Sequence, residues 1–209
     1  MNPWDHLVGA FRTREECIAA LAMHVVGVKE KGSNRGPEVD FWRVDGGGRE
    51  LPRGENGPPW CAYFRSSLVR ELVRRGWPLD YAVRSGAARA HYQRAPHTHM
   101  VPYFKLIPAI ARDDGALLGG ALVRTRSGKS HQRGIILSGG RCQGHVATVV
   151  GITSDGGLLC VGGNSSGVGH SRVRGSGSAA LEVYTPGTKH WDCIAGVSTL
   201  RSVALTQTS

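Results

Sequence analysis

The sequence predicts an α+β domain, with N-terminal helices packed on a C-terminal antiparallel β-sheet. The strong helical periodicity lies before Gly76, strand-like runs begin after Gly119, and no β-α-β alternation joins the two regions. A chain of 209 residues is long enough for one domain, residues 1–209, with a sizeable core.

Taken in order, residues 15–29 put Ile18, Leu21, Ala22, Val25 and Val26 on one helical face. Thr13 is placed to cap this helix, and Glu15 and Glu16 fill its first turn, where the helix dipole favours negative charge. Gly32 to Gly36 is a stop. Pro37 to Val44 reads as a second, short helix with Val39 and Trp42 turned inward, and residues 45–59 as a long turn-rich loop. The second strong helix covers residues 60–75. Phe64, Leu68 and Leu72 track its apolar face, Val69 and Val73 widen it, and Gly76 ends it. Residues 78–119 mix Ala-, Arg- and His-rich stretches and are expected to hold helical pieces. Strands are expected at Gly120–Arg124, Ile135–Ser138, His145–Ile152, Leu158–Gly163, around Val173, at Leu181–Tyr184 and at Ile194–Leu200. The clearest pair flanks Asp155-Gly156, a hairpin signal. The polar tail after Arg201 is expected to fray.

Composition narrows the class. Apolar residues make up 40% of the chain and charged residues 20%, which excludes a disordered or fibrous protein. No apolar run approaches the roughly 18 residues of a membrane span. Met1 to Arg14 lacks the apolar stretch of a Sec signal, so folding in a reducing cytoplasm is expected. Five cysteines, irregularly spaced and without a CxxC, do not form a disulfide framework; Cys17, Cys160 and Cys193 sit in apolar contexts and read as core. The net charge of +10 fits either an anionic partner or milieu or simply a solvated basic surface. Nucleic acid is one candidate and an anionic cell envelope another, but the basic residues are dispersed and no specific nucleic-acid signature is present.

The chemistry starts at Cys61, which opens the second strong helix. A thiol there feels the positive end of the helix dipole and unpaired backbone N–H groups, both of which favour the nucleophilic thiolate. The same N–H groups can hold an oxyanion. Such a thiol needs a base. His145 opens one strand of the predicted hairpin and Asn164 closes the other. Opposed residues of an antiparallel pair share a constant index sum; His145 and Asn164 sum to 309, one residue of turn position from a hairpin centred on Asp155-Gly156, a difference that a bulge absorbs. The hairpin therefore brings the two together, and an Asn amide can orient the imidazole of a Cys–His pair. Candidate substrate-binding residues are Trp60 beside the nucleophile, Gly144 and Ser165. A Cys142–His145 metal pair lacks a second pair at zinc spacing, and His97 and His99 fit a substrate-lining loop better than a metal site.

Pro59-Trp60-Cys61-Ala62 opening a helix, Gly144-His145-Val146 opening a strand and Gly162-Gly163-Asn164-Ser165 closing the next together resemble the CHAP family, cysteine, histidine-dependent amidohydrolases/peptidases of the NlpC/P60-like, papain-like group. Gly27 to Asn34 resembles the segment before the Cys loop in phage-endolysin-type members. The resemblance covers roughly residues 14–200, with an atypical stretch over 78–140. It implies a papain-like fold and cleavage of a peptidoglycan amide, either in the stem peptide or cross-bridge or between N-acetylmuramate and L-alanine. Cys61 would then be the nucleophile, His145 the base and later the acid, and Asn164 the orienting residue, with no cofactor required. Some relatives bind calcium near the Cys loop; Asp40, Asp45, Glu50 and Glu55 stand there without a D-x-D-x-D-G pattern, so no metal is expected. The implied partner is peptidoglycan, with an immunity or delivery protein left open. A phage lysin, an injection component or an antibacterial effector would reach the wall without a Sec signal. A cysteine-dependent deamidase or isopeptidase toxin, a basic non-catalytic binding module and a nucleic-acid binder are the rival readings.

Overall fold

The computed structural model describes residues 2–77, 100–112, 115, 117–126, 128–138, 143–166 and 177–200. Helix α1 (Arg14–His24) is capped by Thr13, whose side chain accepts from the Glu16 N–H at 3.1 Å. It stops earlier than the periodicity suggests, at His24, and Gly27 then turns the chain at φ 104°, a conformation that costs little only for glycine. Helix α2 (Pro37–Asp45) opens on a proline, which needs no N–H there, and buries Val39 and Trp42 completely. Helix α3 (Cys61–Arg74) buries Phe64, Leu68, Val69 and Leu72. Val73, expected on the same face, is 51% exposed, so the apolar face is narrower than the sequence suggests. The helix ends as a Schellman motif: Gly76 at φ 84° donates to the Val73 carbonyl, and Trp77 N–H donates to Leu72.

The described residues contain one six-stranded sheet. Its strands are β1 (Met100–Pro102), β2 (Ala121–Thr125), β3 (Gly144–Ile152), β4 (Leu158–Ser165), β5 (Ser178–Tyr184) and β6 (Ile194–Ser198), in the order β1-β6-β2-β3-β4-β5. Every neighbouring pair is antiparallel. The molecule is thus α+β, with its helices ahead of most of its sheet. Between β1 and β2 lies α4 (Leu106–Arg112), a helical piece in the mixed stretch. The apolar run Ile135–Ser138, expected as a strand, is instead the end of helix α5 (Arg133–Leu137) and its cap. Four residues carry no period that separates the two states. Here the local bond from Ser138 N–H to the Gly134 carbonyl wins, with Ile136 buried and Ile135 turned outward. The strand expected near Val173 and the tail after Arg201 lie outside the described residues.

Strand alternation sorts the sheet into two faces. Val161, Ala179 and Leu181 pack under α1, α2 and α3, and Val123, Val146 and Ala195 lie beside Ala62. On the opposite face Leu122, Ala147, Val149, Cys160, Tyr184 and Val197 pack with α4 and the turn at Trp191. No helix of the described residues is long and apolar enough to cross a membrane.

Candidate active site

The loop before α3 is tied down by the segment that follows α1. Ser33 and Asn34 take left-handed backbone conformations, which form a tight turn. Asn34 Nδ2 donates to the Gly57 carbonyl at 2.8 Å, and Gly57 N–H returns a bond to Ser33. A side chain on Gly57 would collide with the Asn34 carbonyl. Arg35 donates to the Pro52 and Glu55 carbonyls at 3.0 and 2.6 Å. Trp60 donates to Glu30 at 3.4 Å. Lys29 forms a β-bridge with Ser178, which seats Glu30 against Gly177. The position of Cys61 is therefore set from upstream as well as by its own helix.

Trp60 does not line a cleft. It is fully buried, stacks on Trp42 at 5.2 Å between ring centroids and meets Phe64 edge-on. Gly163 makes room for it, since a Cβ there would come within 2.7 Å of the indole. Trp60 anchors the start of α3 in the core.

Cys61 is half-buried at the first position of α3, and no side chain caps this helix. Its sulfur shares a hydrogen bond with His145 and accepts from the Val146 and Ala62 N–H groups. Burial pushes the thiol up, but His145 and these donors outweigh it and hold the thiol below the ordinary cysteine value. His145 stands one residue into β3, opposite Arg124 of β2. Gly144 before it lies against β2, where a Cβ would come within 2.5 Å of the Arg124 carbonyl, so its lack of a side chain serves strand pairing.

The structure does bring the predicted hairpin into register. Ala147↔Gly162, Thr148↔Val161 and Val149↔Cys160 all carry the index sum 309, and a shift between Val149 and Gly151 raises it to 310, so the turn centres on Asp155. Extended by two residues, that register sets Asn164 level with His145. Yet the partner of His145 is not Asn164. The ring Nε2 lies 3.0 Å from Glu182 Oε1, leaving Nδ1 for the thiol. Asn164 sits at φ 55° where the β4–β5 register slips between Gly162 and Ser165. That slip breaks the alternation and turns Ser165, not Asn164, onto the carboxylate. Ser165, expected to touch substrate, is buried and donates to Glu182 Oε1.

Glu182 comes from β5, two strands away from His145, and crosses β4 at Gly162. A Cβ at Gly162 would lie 2.5 Å from Glu182 Oε1 and 2.7 Å from His145 Nε2. The backbone at Gly162 has no positive φ, so what its glycine supplies is space. The buried carboxylate is raised by desolvation, but the His145 charge and hydrogen bond, the Ser165 hydroxyl and the Arg124 charge bring it down to about 2. Burial depresses His145, while the Glu182 charge and the bonds to Cys61 and Glu182 lift it to about 9. These shifts favour a thiolate–imidazolium pair backed by a carboxylate. Glu182 is the residue the sequence reading missed; its only signal was an acid standing at an inward position in Ala179-Ala180-Leu181-Glu182-Val183-Tyr184.

Three of the four acidic residues near the Cys loop are engaged elsewhere. Asp40 pairs with Arg35 and Arg43, Asp45 with Ser67 and Arg74, and Glu55 with Arg49. Among the described residues no group of three or more His, Cys, Asp or Glu side chains is placed to hold a metal ion. A concavity of about 490 Å³ beside α2 includes Asp40, Asp45 and Glu50 but not Cys61, His145 or Glu182. Cys17, Cys160 and Cys193 are buried free thiols, and Cys142, His97 and His99 lie outside the described residues. No family model, curated protein or solved structure matches the chain.

Proposed function

We propose that this chain is a cysteine amidase or endopeptidase of the papain-like, NlpC/P60-related kind that hydrolyses an amide bond of peptidoglycan. The observation that carries the reading is the Cys61 thiol, seated on a helix N-terminus and hydrogen-bonded to His145, with Glu182 behind the ring. That arrangement supports nucleophilic acyl transfer. The Cys61 thiolate attacks the amide carbonyl. The first-turn N–H groups of α3, which have no intrahelical carbonyl to meet, stabilise the oxyanion. The His145 imidazolium protonates the leaving amine as the C–N bond breaks. Neutral His145 then takes a proton from water, which attacks the thioester and releases the acid and the thiolate. Glu182 keeps the ring aligned and stabilises its charge through both steps.

Peptidoglycan is favoured by the motif resemblance and by the +10 charge, which attracts the protein to anionic envelope polymers. Release from the cytoplasm as a phage lysin, or delivery as an antibacterial effector, would bring it to the wall. The test compares wild type with Cys61→Ala on isolated sacculi, with products identified by mass spectrometry. Muropeptides released by wild type alone are expected, and their new termini name the bond. No release by folded wild type would sink the wall-hydrolase reading, and protein amides would become the substrates to try.

A further inference from the structure

Behind Glu182 lies a second polar tier that never reaches the thiol. Tyr184 is fully buried on the same face of β5. Its hydroxyl donates to Glu182 Oε2 at 2.8 Å and accepts from Arg124 Nε at 2.9 Å. The Arg124 guanidinium stands 5.9 Å from the Tyr184 ring centroid, and Arg124 itself lies opposite His145 in the β2–β3 register. This face of the sheet is otherwise apolar, so a largely buried cation and a buried phenol cost desolvation that Leu and Phe would avoid. Their placement has a use at Glu182. The terminal torsion of a Glu side chain is broad, so its carboxylate plane is held only when both oxygens are engaged. His145 and Ser165 occupy Oε1; Tyr184 occupies Oε2.

We propose that Arg124 and Tyr184 are positioning residues of the thiol site, setting the plane of the Glu182 carboxylate, which in turn orients His145 toward Cys61. The inference rests on the reading of Cys61 and His145 as a thiol catalyst. The titratable and charged groups around Glu182 are His145 from β3 and Cys61 beyond it, Cys160 from β4, Tyr184 on its own strand, Arg124 from β2, and His190 ahead of β6. Of these, Tyr184 meets the oxygen that His145 leaves open.

The test is the pH dependence of Cys61 alkylation by iodoacetamide in the intact chain, followed by mass spectrometry of the Cys61 peptide. It needs no substrate. Tyr184→Phe removes one hydroxyl and keeps the ring. The acid limb of alkylation is expected to move up by about half a unit to one unit, because a carboxylate free to turn stabilises the imidazolium less. Glu182→Gln should move it further, and adding Tyr184→Phe to Glu182→Gln should then change nothing. Arg124→Lys keeps the charge but loses the planar donor to Tyr184, and should shift the limb in the same direction. An unmoved or lowered limb in either single variant, or an equal shift in the Glu182→Gln background, overturns the proposal. A wild-type limb at the ordinary cysteine value overturns the thiol-catalyst reading, and the positioning proposal with it. Inert sacculi beside a depressed, Tyr184-dependent limb would overturn only the choice of substrate.

Discussion

The two faces of the sheet differ in kind, although they are built from alternate residues of the same strands. Val146, Val161 and Leu181 face the helices within apolar clusters that include Ala62, Trp60 and Leu68, where Arg65 donating to Thr148 at 3.0 Å is a buried polar contact. One residue along each strand, His145, Gly162 and Glu182 lie on the other face, where Gly162 leaves the space and His145 and Glu182 share a hydrogen-bonded network with Ser165, Tyr184 and Arg124. The helix face holds the fold by burial, which is non-directional and tolerates repacking. The other face holds directed polar contacts, each of which fails if its geometry slips. Cys61 stands where the two meet, its helix packed on the first and its sulfur bonded to the second.

Substitutions should separate the two faces. Phe64→Ala, on the helix face, should cost about 3–5 kcal/mol of stability in urea unfolding. Its pH limbs of alkylation should stay where they are in wild type; a shift would mean the faces are coupled. If the proposed amidase activity holds, Glu182→Gln, on the polar face, should lower its turnover by about 10²-fold or more. KM should change far less. Loss confined to KM would show that Glu182 shapes binding rather than the ring. Gly162→Ala should lower turnover by about 10- to 100-fold, because its Cβ displaces the carboxylate and the imidazole. Gly151→Ala is the control: its Cβ would meet only Leu159, near 3.9 Å, and activity should hold.

The smallest effect expected is on pH. With His145 lifted to about 9, activity should persist to about that pH and fall as the imidazolium is lost. The Cys61 limb lies below the ordinary thiol value, and the two limbs belong to the coupled pair. Stability follows the same signs. The His145 contribution is complete below its unfolded value of 6.5 and is lost as pH rises through about 9. That of Glu182 is complete above 4.5 and is lost as pH falls toward about 2. Chemical denaturation across pH should therefore show decline on both sides, and Glu182→Gln should flatten both. A profile unchanged by that substitution would argue that the buried pair is not charged in the native state.

Much of the site's first half was legible. The α3 start, the hairpin and its index sum all follow from local periodicity and turn chemistry, and the structure has each. Ile135 to Ser138 misled because its run is too short for a period to form. Asn164 misled for a different reason. The β3–β4 index sum does set it level with His145, but Asn164 takes a left-handed φ where the β4–β5 pairing slips, so the alternation breaks and Ser165 meets the carboxylate instead.

Local sequence by itself determined that the chain is α+β, that Cys61 opens a helix, and that His145 opens a strand paired to the one ending at Asn164. Those are matters of neighbours in sequence: caps, periods of 3.6 and 2, and a short Asp-Gly turn. Only the tertiary structure decided that Glu182 backs His145, that Gly162 is the gap through which it reaches, and that Trp60 lies in the core. The physical reason is that β5 joins β4 through backbone hydrogen bonds that carry no side-chain signature. A carboxylate two strands away becomes a neighbour only once the sheet has closed on its register.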